Sequence, residues 1–508
     1  MSARLDKLGQ QRLEKLERIR ARDVDPYPPR YHRSHSTREA AEYFEQWELG
    51  EGGDQPLFSL AGRIMAHRAM GKATFMDLQD GSGKIQLYFK RDRLGTQHYG
   101  LLKELDMGDL IGAEGSLFRT HAGEVTLEVS DFTILAKSLL PLPEKWHGLT
   151  DVETRYRQRY LDLIANQGVG EVFRVRGRTL TALRRFLDER GFVEVETPVL
   201  QGTAGGAAAQ PFTTYHQALG QGLYLRIATE LHLKRLIIGG FDRVYELGRI
   251  FRNEGISTRH NPEFTTLESY EAYADYGDVM KMVEEMVSYV AREVLGSTVI
   301  NFGPNRIDLS PPWPRVCLQG AIREGCGIDW DDFPDEASLR EAMDARRIGG
   351  EGLHGRGKLI DKLISTFVEP NLIQPTFLVD YPVEMSPLAK RKADNPALVE
   401  RFEGFAGGME IANAFSELND PLEQRWRFEE QARLRTGGDV EAEVADDDFL
   451  QALEYGMPPT GGLGLGIDRL VMLLTDQTSI REVILFPQLK TLNPEASESE
   501  PPQAKTNE

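Results

Sequence analysis

Between Val244 and Tyr273 the chain reads V-Y-E-L-G-R-I-F-R-N-E-G-I-S-T-R-H-N-P-E-F-T-T-L-E-S-Y-E-A-Y, a dense collection of residues able to do chemistry. Strand periodicity puts Glu246, Ile250, Arg252 and Glu254 on one face of a first strand. The same rule puts Phe264, Thr266, Glu268 and Tyr270 on one face of a second, with Arg259, His260 and Asn261 in the loop between them. A surface that joins an arginine, carboxylates, an aromatic ring and a phenol is poorly suited to burial against an apolar core. It suits an anionic nucleotide together with a cationic small molecule.

A second run, R-F-E-G-F-A-G-G-M-E-I-A-N-A-F-S-E-L-N-D, spans Arg401 to Asp420. A strand over its latter half projects Asn413, Phe415 and Glu417 to one face. Glu403 and Glu410 flank the Gly407-Gly408 bend, where two carboxylates can converge on a hard cation such as Mg²⁺. A third run, P-P-T-G-G-L-G-L-G-I-D-R-L-V-M-L-L-T from Pro458 to Thr475, has glycines that permit close backbone approach, then helical spacing with Arg469 near its start. It is neither a Rossmann fingerprint nor a P-loop. The G-x-x-x-x-G-K at Gly352 to Lys358 is followed by Leu359 in place of Ser or Thr, so it is read as a chance near-match.

These runs need a scaffold. The N-terminus reads as a charged amphipathic helix, with a Pro-rich break from Asp25 to Arg30 and a short amphipathic stretch to about Glu48. Residues 1–56 are therefore a helical extension. From 57 to 137, five short strands separated by Gly-containing turns, with one helix-like interruption, predict an OB-fold barrel. Pro141 to Leu149 reads as part of a linker over 138–170. The helix-like R-G-R-T-L-T-A-L-R-R-F-L-D-E-R leads through Gly191 into F-V-E-V-E-T-P and opens a larger domain over 171–490. The acidic run from Glu441 to Asp448 reads as a solvated loop. Residues 491–508 carry almost no large apolar group and are expected to be disordered.

With 508 residues, 40% hydrophobic and 27% charged, the chain is long enough for two or more domains and has the composition of a soluble protein without a membrane segment. The N-terminal stretch has no apolar central region, so it is expected to be an amphipathic helix rather than a signal peptide, and the expected location is the cytoplasm. The net charge of −19 argues against indiscriminate nucleic-acid binding. Any RNA contact is then local, with Arg12, Lys15, Arg18, Arg20, Arg63, Arg68, Lys72 and Lys84 as candidates. Cys317 and Cys326 match neither a zinc knuckle nor a redox pair.

The run F-R-N-E-G-I-S-T-R-H-N-P-E-F-T followed by E-S-Y resembles motif 2 of the class II aminoacyl-tRNA synthetases in its lysyl form. The helix and strand ending at Pro198 resemble motif 1, and the Gly-rich run with Arg469 resembles motif 3. The resemblance covers roughly residues 57 to 489. It implies an α+β multidomain protein: an OB-fold anticodon-binding barrel, then a class II catalytic domain with an antiparallel sheet flanked by helices. The implied activity is that of a lysine-tRNA ligase, which activates L-lysine with ATP in the presence of Mg²⁺ and charges tRNA(Lys). A homodimer is implied through motif 1.

By that resemblance, Glu230 and the backbone near Gly206 receive the α-amino group of lysine, while Arg252 and Asn413 meet its carboxylate. An alkylammonium leaving water needs paired carboxylates and acceptors. Glu268, Tyr270 and Glu417 can supply them, with Phe415 along the methylene stem. ATP is expected to meet Arg252, Glu254, His260, Asn261, Phe264, Glu403, Glu410 and Arg469. Arg252 and Arg469 are the catalytic cations, and Glu403 and Glu410 hold the metal. In the barrel, Phe75, Gln86 and Glu124 match positions that contact the anticodon. The family usually has a basic residue where Gln210 and Met409 stand here. Two other readings compete: a paralogue that lysylates a protein, whose kind lacks the barrel, and an RNA-binding protein with an inactive synthetase domain. The joint presence of Arg252, Glu268, Glu403, Glu410 and Arg469 argues against the second.

Overall fold

The computed structural model describes residues 7–51, 55–143, 148–436 and 444–490. The expected disordered tail, part of the linker and part of the acidic run lie outside the described residues. Two compact units divide the chain, Met1–Thr150 and Asp151–Glu508.

In the first unit, the helix Lys7–Arg20 buries Leu16 and Ile19. The helix Thr37–Gln46 starts at a capping box made by Ser36 and Glu39, which satisfies donors at the helix start. Strands Phe58–Met70, Ala73–Gln79, Lys84–Lys90, Leu110–Arg119 and Val125–Ala136 close into a barrel, the fifth lying between the third and fourth. Alternation fills it: Thr74, Met76 and Leu78 are buried, while Phe75 and Asp77 face outward. The first strand runs further than its alternation predicts because a bulge between Ile64 and Ala66 shifts the register and breaks the pattern. Arg12, a candidate for RNA contact, is instead buried. It donates to the carbonyls of Met107, Ser138 and Leu140 and ties the first helix to the loops beside the barrel.

The second unit is built on an eight-stranded sheet. Its order is Arg315–Cys317, Thr376–Pro382, Leu398–Ala406, Met409–Ser416, Thr460–Gly466, Glu263–Ala272, Arg243–Phe251 and Val193–Glu194. The two outermost pairings are parallel and the rest antiparallel. The helix Tyr276–Leu295, capped by Asp275, buries Val279, Val283, Met286, Val287 and Val290 at helical spacing. That stripe joins Tyr245, Leu267 and Phe402 in the main core. The helix Val169–Asp188 ends before Gly191, whose φ is 78°, and the strand after it shrinks to Val193–Glu194. A second core lies under helices Leu318–Cys326, Glu336–Ala345 and Arg356–Leu363. Among the described residues, no helix is long and apolar enough to cross a membrane.

Candidate active site

The strands Arg243–Phe251 and Glu263–Ala272 pair with Glu246 opposite Glu268 and Ile250 opposite Phe264, so the shared face expected from the sequence forms. Two details differ. The strand stops at Phe251, which leaves Arg252 and Glu254 in the loop. Glu246 is on the expected face but is buried against Arg226, and its other oxygen accepts from the Thr197 hydroxyl at 2.6 Å. It is a structural ion pair. Arg252 donates to the carbonyl of Ile227 at 3.3 Å, and its guanidinium lies 5.3 Å from the Phe264 ring centre.

A cavity of about 980 Å³ opens over this sheet. Of the residues assigned to lysine or ATP, all but Glu403 line it. At one end sit three carboxylates. Glu230 opens the helix Glu230–Ile238, Glu268 accepts from the Thr229 amide at 3.2 Å, and Glu417 follows the strand Met409–Ser416, its own amide bonded to Thr460. Burial lifts the Glu268 carboxyl to about 7, with Glu230 adding to the rise. Burial also raises Glu417, against the pull of Lys234, and raises the Tyr270 phenol well above its usual value. Neither Glu417 oxygen has a hydrogen bond of good geometry, although Lys234 forms an ion pair with one of them. Gly462 is required here. A Cβ on it would lie 1.9 Å from a Glu417 oxygen and 2.7 Å from the Tyr270 ring.

Lys234 was not singled out from the sequence. Its ammonium is fully buried and bridges Glu230, at 2.5 Å, and Glu417. Burial alone would lower its pKa, but the two carboxylates raise it to about 12. The signal was present: a lysine one turn after Glu230, on a helix otherwise rich in Leu and Ile.

At the other end, Arg469 sits in the first turn of the helix Ile467–Leu474. It donates to the Glu410 carbonyl at 2.7 Å and carboxylate at 3.1 Å, and lies 3.4 Å from the His260 Nε2. Burial and Arg469 lower the His260 pKa, which favours a neutral imidazole. The Asn261 side chain is occupied by the backbone of Glu263 and Gln488, so it braces the loop as well as lining the cavity. Asn413 accepts from Arg401 at 3.1 Å. Glu403 is held by Arg401 at 2.5 Å and the Tyr381 hydroxyl at 2.8 Å. Burial raises Glu403 to about 7 against Arg401, with Glu410 adding to the rise. Burial and Glu410 also raise Glu369. Arg401, Tyr381 and Glu369 are further members of this region that the sequence did not single out.

Among the described residues, no group of three or more His, Cys, Asp or Glu is arranged to hold a metal alone. Glu403 and Glu410 are close enough for Glu410 to raise the Glu403 pKa, and two carboxylates are the protein share of a Mg²⁺ site in which waters and substrate phosphates supply the other ligands. In the Gly352–Lys358 near-match, Gly355 to Lys358 line the cavity. Its Arg356 pairs with Glu384 and donates to the carbonyls of Trp330 and Phe333, forming part of the cavity wall.

On the barrel, Phe75 pairs with Tyr88 across neighbouring strands, and their rings stack at 4.6 Å. Phe118 lies 5.9 Å beyond Tyr88. Gln86 donates to Glu124 at 2.7 Å and accepts from Thr126 at 3.1 Å. Phe75, Gln86 and Glu124 thus lie on one face of the barrel, Glu124 exposed, Phe75 partly exposed and Gln86 buried. Arg68 and Lys84 pair with Asp77 beside it.

An antiparallel sheet that presents an arginine-bearing hairpin and a Gly-rich strand leading into an arginine-bearing helix defines a class II synthetase domain, here accompanied by an OB-fold barrel. Residues 151–490 match the family of class II tRNA synthetases (D, K and N), and residues 58–135 match the OB-fold nucleic acid binding domain. A lysine–tRNA ligase of Dehalococcoides mccartyi is 58% identical over 487 residues, which cover 95% of this chain and 97% of the relative. One of Moorella thermoacetica is 56% identical over 479 residues, covering 94% and 97%. The chain belongs to the lysine–tRNA ligase family of class II aminoacyl-tRNA synthetases.

Proposed function

We propose that this chain activates L-lysine with ATP to lysyl-adenylate and transfers the lysyl group to the 3′ end of tRNA(Lys). The observation that carries the reading is the buried trio Glu230, Glu268 and Glu417, which shares one cavity with Arg252 and Arg469. Glu230 and the Gly206 backbone take the α-ammonium. Glu268, Tyr270 and Glu417 take the ε-ammonium, Phe415 lies along the stem, and Arg252 and Asn413 meet the carboxylate.

ATP binds at the other end, with its adenine on Phe264 and its polar groups near Glu254, His260 and Asn261. A lysine carboxylate oxygen attacks the α-phosphorus in line, and pyrophosphate leaves. Arg252 neutralises charge at the α-phosphate, and Arg469 holds the γ-phosphate. Catalysis is positioning plus electrostatic stabilisation, without a protein nucleophile. Glu403 and Glu410 would hold Mg²⁺, which supplies further charge neutralisation on the phosphates. In the second step the terminal adenosine hydroxyl of tRNA attacks the carbonyl carbon of the mixed anhydride, and AMP leaves.

We assign residues 57–137 to anticodon recognition through Phe75, Gln86 and Glu124, and 171–490 to catalysis. The protein acts as a homodimer in the cytoplasm, where tRNA is charged. Support for the dimer comes from the short edge strand Val193–Glu194 and from exposed Val193, Val199 and Leu200 near it. Charging of total tRNA with each amino acid in turn tests the function. Lysine alone is expected to be incorporated, and incorporation of aspartate or asparagine in its place would overturn the reading.

A further inference from the structure

Lys234 places a second ammonium in a site built for ammonium groups. Its side chain is 0% exposed, and its Nζ touches Glu230 and Glu417, the acceptors assigned to opposite ends of the substrate. Two aromatic rings lie beside it: the Nζ is 5.5 Å from the Phe415 ring centre and 5.8 Å from that of Phe449. The charges also match. With lysine bound and all three carboxyls ionised, buried Glu230, Glu268 and Glu417 would bring three negative charges and Lys234 one positive, leaving two for the α- and ε-ammonium groups of lysine. Arg252 remains for the substrate carboxylate.

We propose that Lys234 is a positioning residue that ties Glu230 to Glu417, fixing the separation of the two ammonium subsites and thereby selecting the length of the diamino acid. The inference rests on the lysine site described above. Without Lys234, a third buried carboxylate has no cationic partner, and it must take a proton or turn away. Either response spoils the spacing. Ornithine, one methylene shorter, is the competitor that such spacing rejects.

The test uses the full-length chain and measures lysine and ornithine affinity by calorimetry, with the KM for ATP as a control. Lys234→Met is expected to weaken lysine binding by about tenfold or more, to narrow the preference for lysine over ornithine, and to leave the KM for ATP unchanged. Glu417→Gln breaks the same bridge. Adding Lys234→Met to it is therefore expected to cost less than about threefold, because the double variant again leaves two negative charges for two ammonium groups. This comparison holds even if Lys234→Met alone does not fold, since the double variant carries no unmatched carboxylate.

A further tenfold loss in the double variant would overturn the proposal. So would a folded Lys234→Met protein with native lysine affinity and native rejection of ornithine. If Glu417→Gln itself leaves lysine affinity unchanged, the site assignment fails and the proposal falls with it. A weakened Glu417→Gln with additive losses sinks the role of Lys234 alone.

Discussion

Glu268 meets an ammonium only as a carboxylate, yet burial raises its pKa from an ordinary 4.5 to about 7 in the unliganded protein. The folded state therefore holds this proton more tightly than the unfolded chain. Its contribution to stability falls as pH rises through that window, while competence to bind lysine rises. Lysine affinity is expected to strengthen about tenfold between pH 6 and pH 8, with proton release on binding near pH 7. Glu268→Gln is expected to flatten that dependence and weaken lysine binding by on the order of 2–5 kcal/mol, with ATP binding unaffected. Calorimetry at several pH values in buffers of different ionisation enthalpy measures both. A flat profile in the native protein, or an unchanged affinity in the variant, would remove Glu268 from the pocket. At this scale the sequence showed the acceptors but not who holds them. Lys234 reaches Glu417, and Arg226 reaches Glu246, only through contacts between distant segments. The first pair belongs to the lysine site, and the second turns a plausible site carboxylate into a brace.

Strand alternation was the most legible feature of the elements. It predicted that Phe264, Thr266, Glu268 and Tyr270 share a face and that five strands make the small domain, because a period of two is a local property. Bulges were not legible. The register shifts at Ile64/Ala66 and Gly404/Phe405 depend on the partner strand. Nor was the order of the eight strands, which is set by pairings far apart in the chain. On the barrel, resemblance alone assigns Phe75 to the anticodon. Its ring lies on the outer face, supported from behind by Tyr88. A base stacked on that platform contributes about 1–3 kcal/mol. Phe75→Ala is accordingly expected to weaken tRNA charging by roughly tenfold to a hundredfold while lysine-dependent pyrophosphate exchange stays intact. Equal loss of both activities would show that Phe75 maintains the fold.

For the whole molecule, division into a barrel and a larger α+β domain was readable from composition and punctuation, but association was suggested only by resemblance. The apolar side chains exposed at Val193, Val199 and Leu200 give that suggestion a physical basis. Sedimentation at micromolar concentration is expected to show twice the 57.2 kDa chain mass, and a species of single-chain mass would count against the dimer. In the proposed reaction, one cavity in the second unit gathers lysine, ATP and the charges that activate them. Exchange of labelled pyrophosphate into ATP, measured without tRNA for each amino acid and with Mg²⁺ present or chelated, tests it most directly. Exchange is expected to require both lysine and Mg²⁺; exchange supported better by aspartate or asparagine, or none with lysine until tRNA is added, would overturn the assignment.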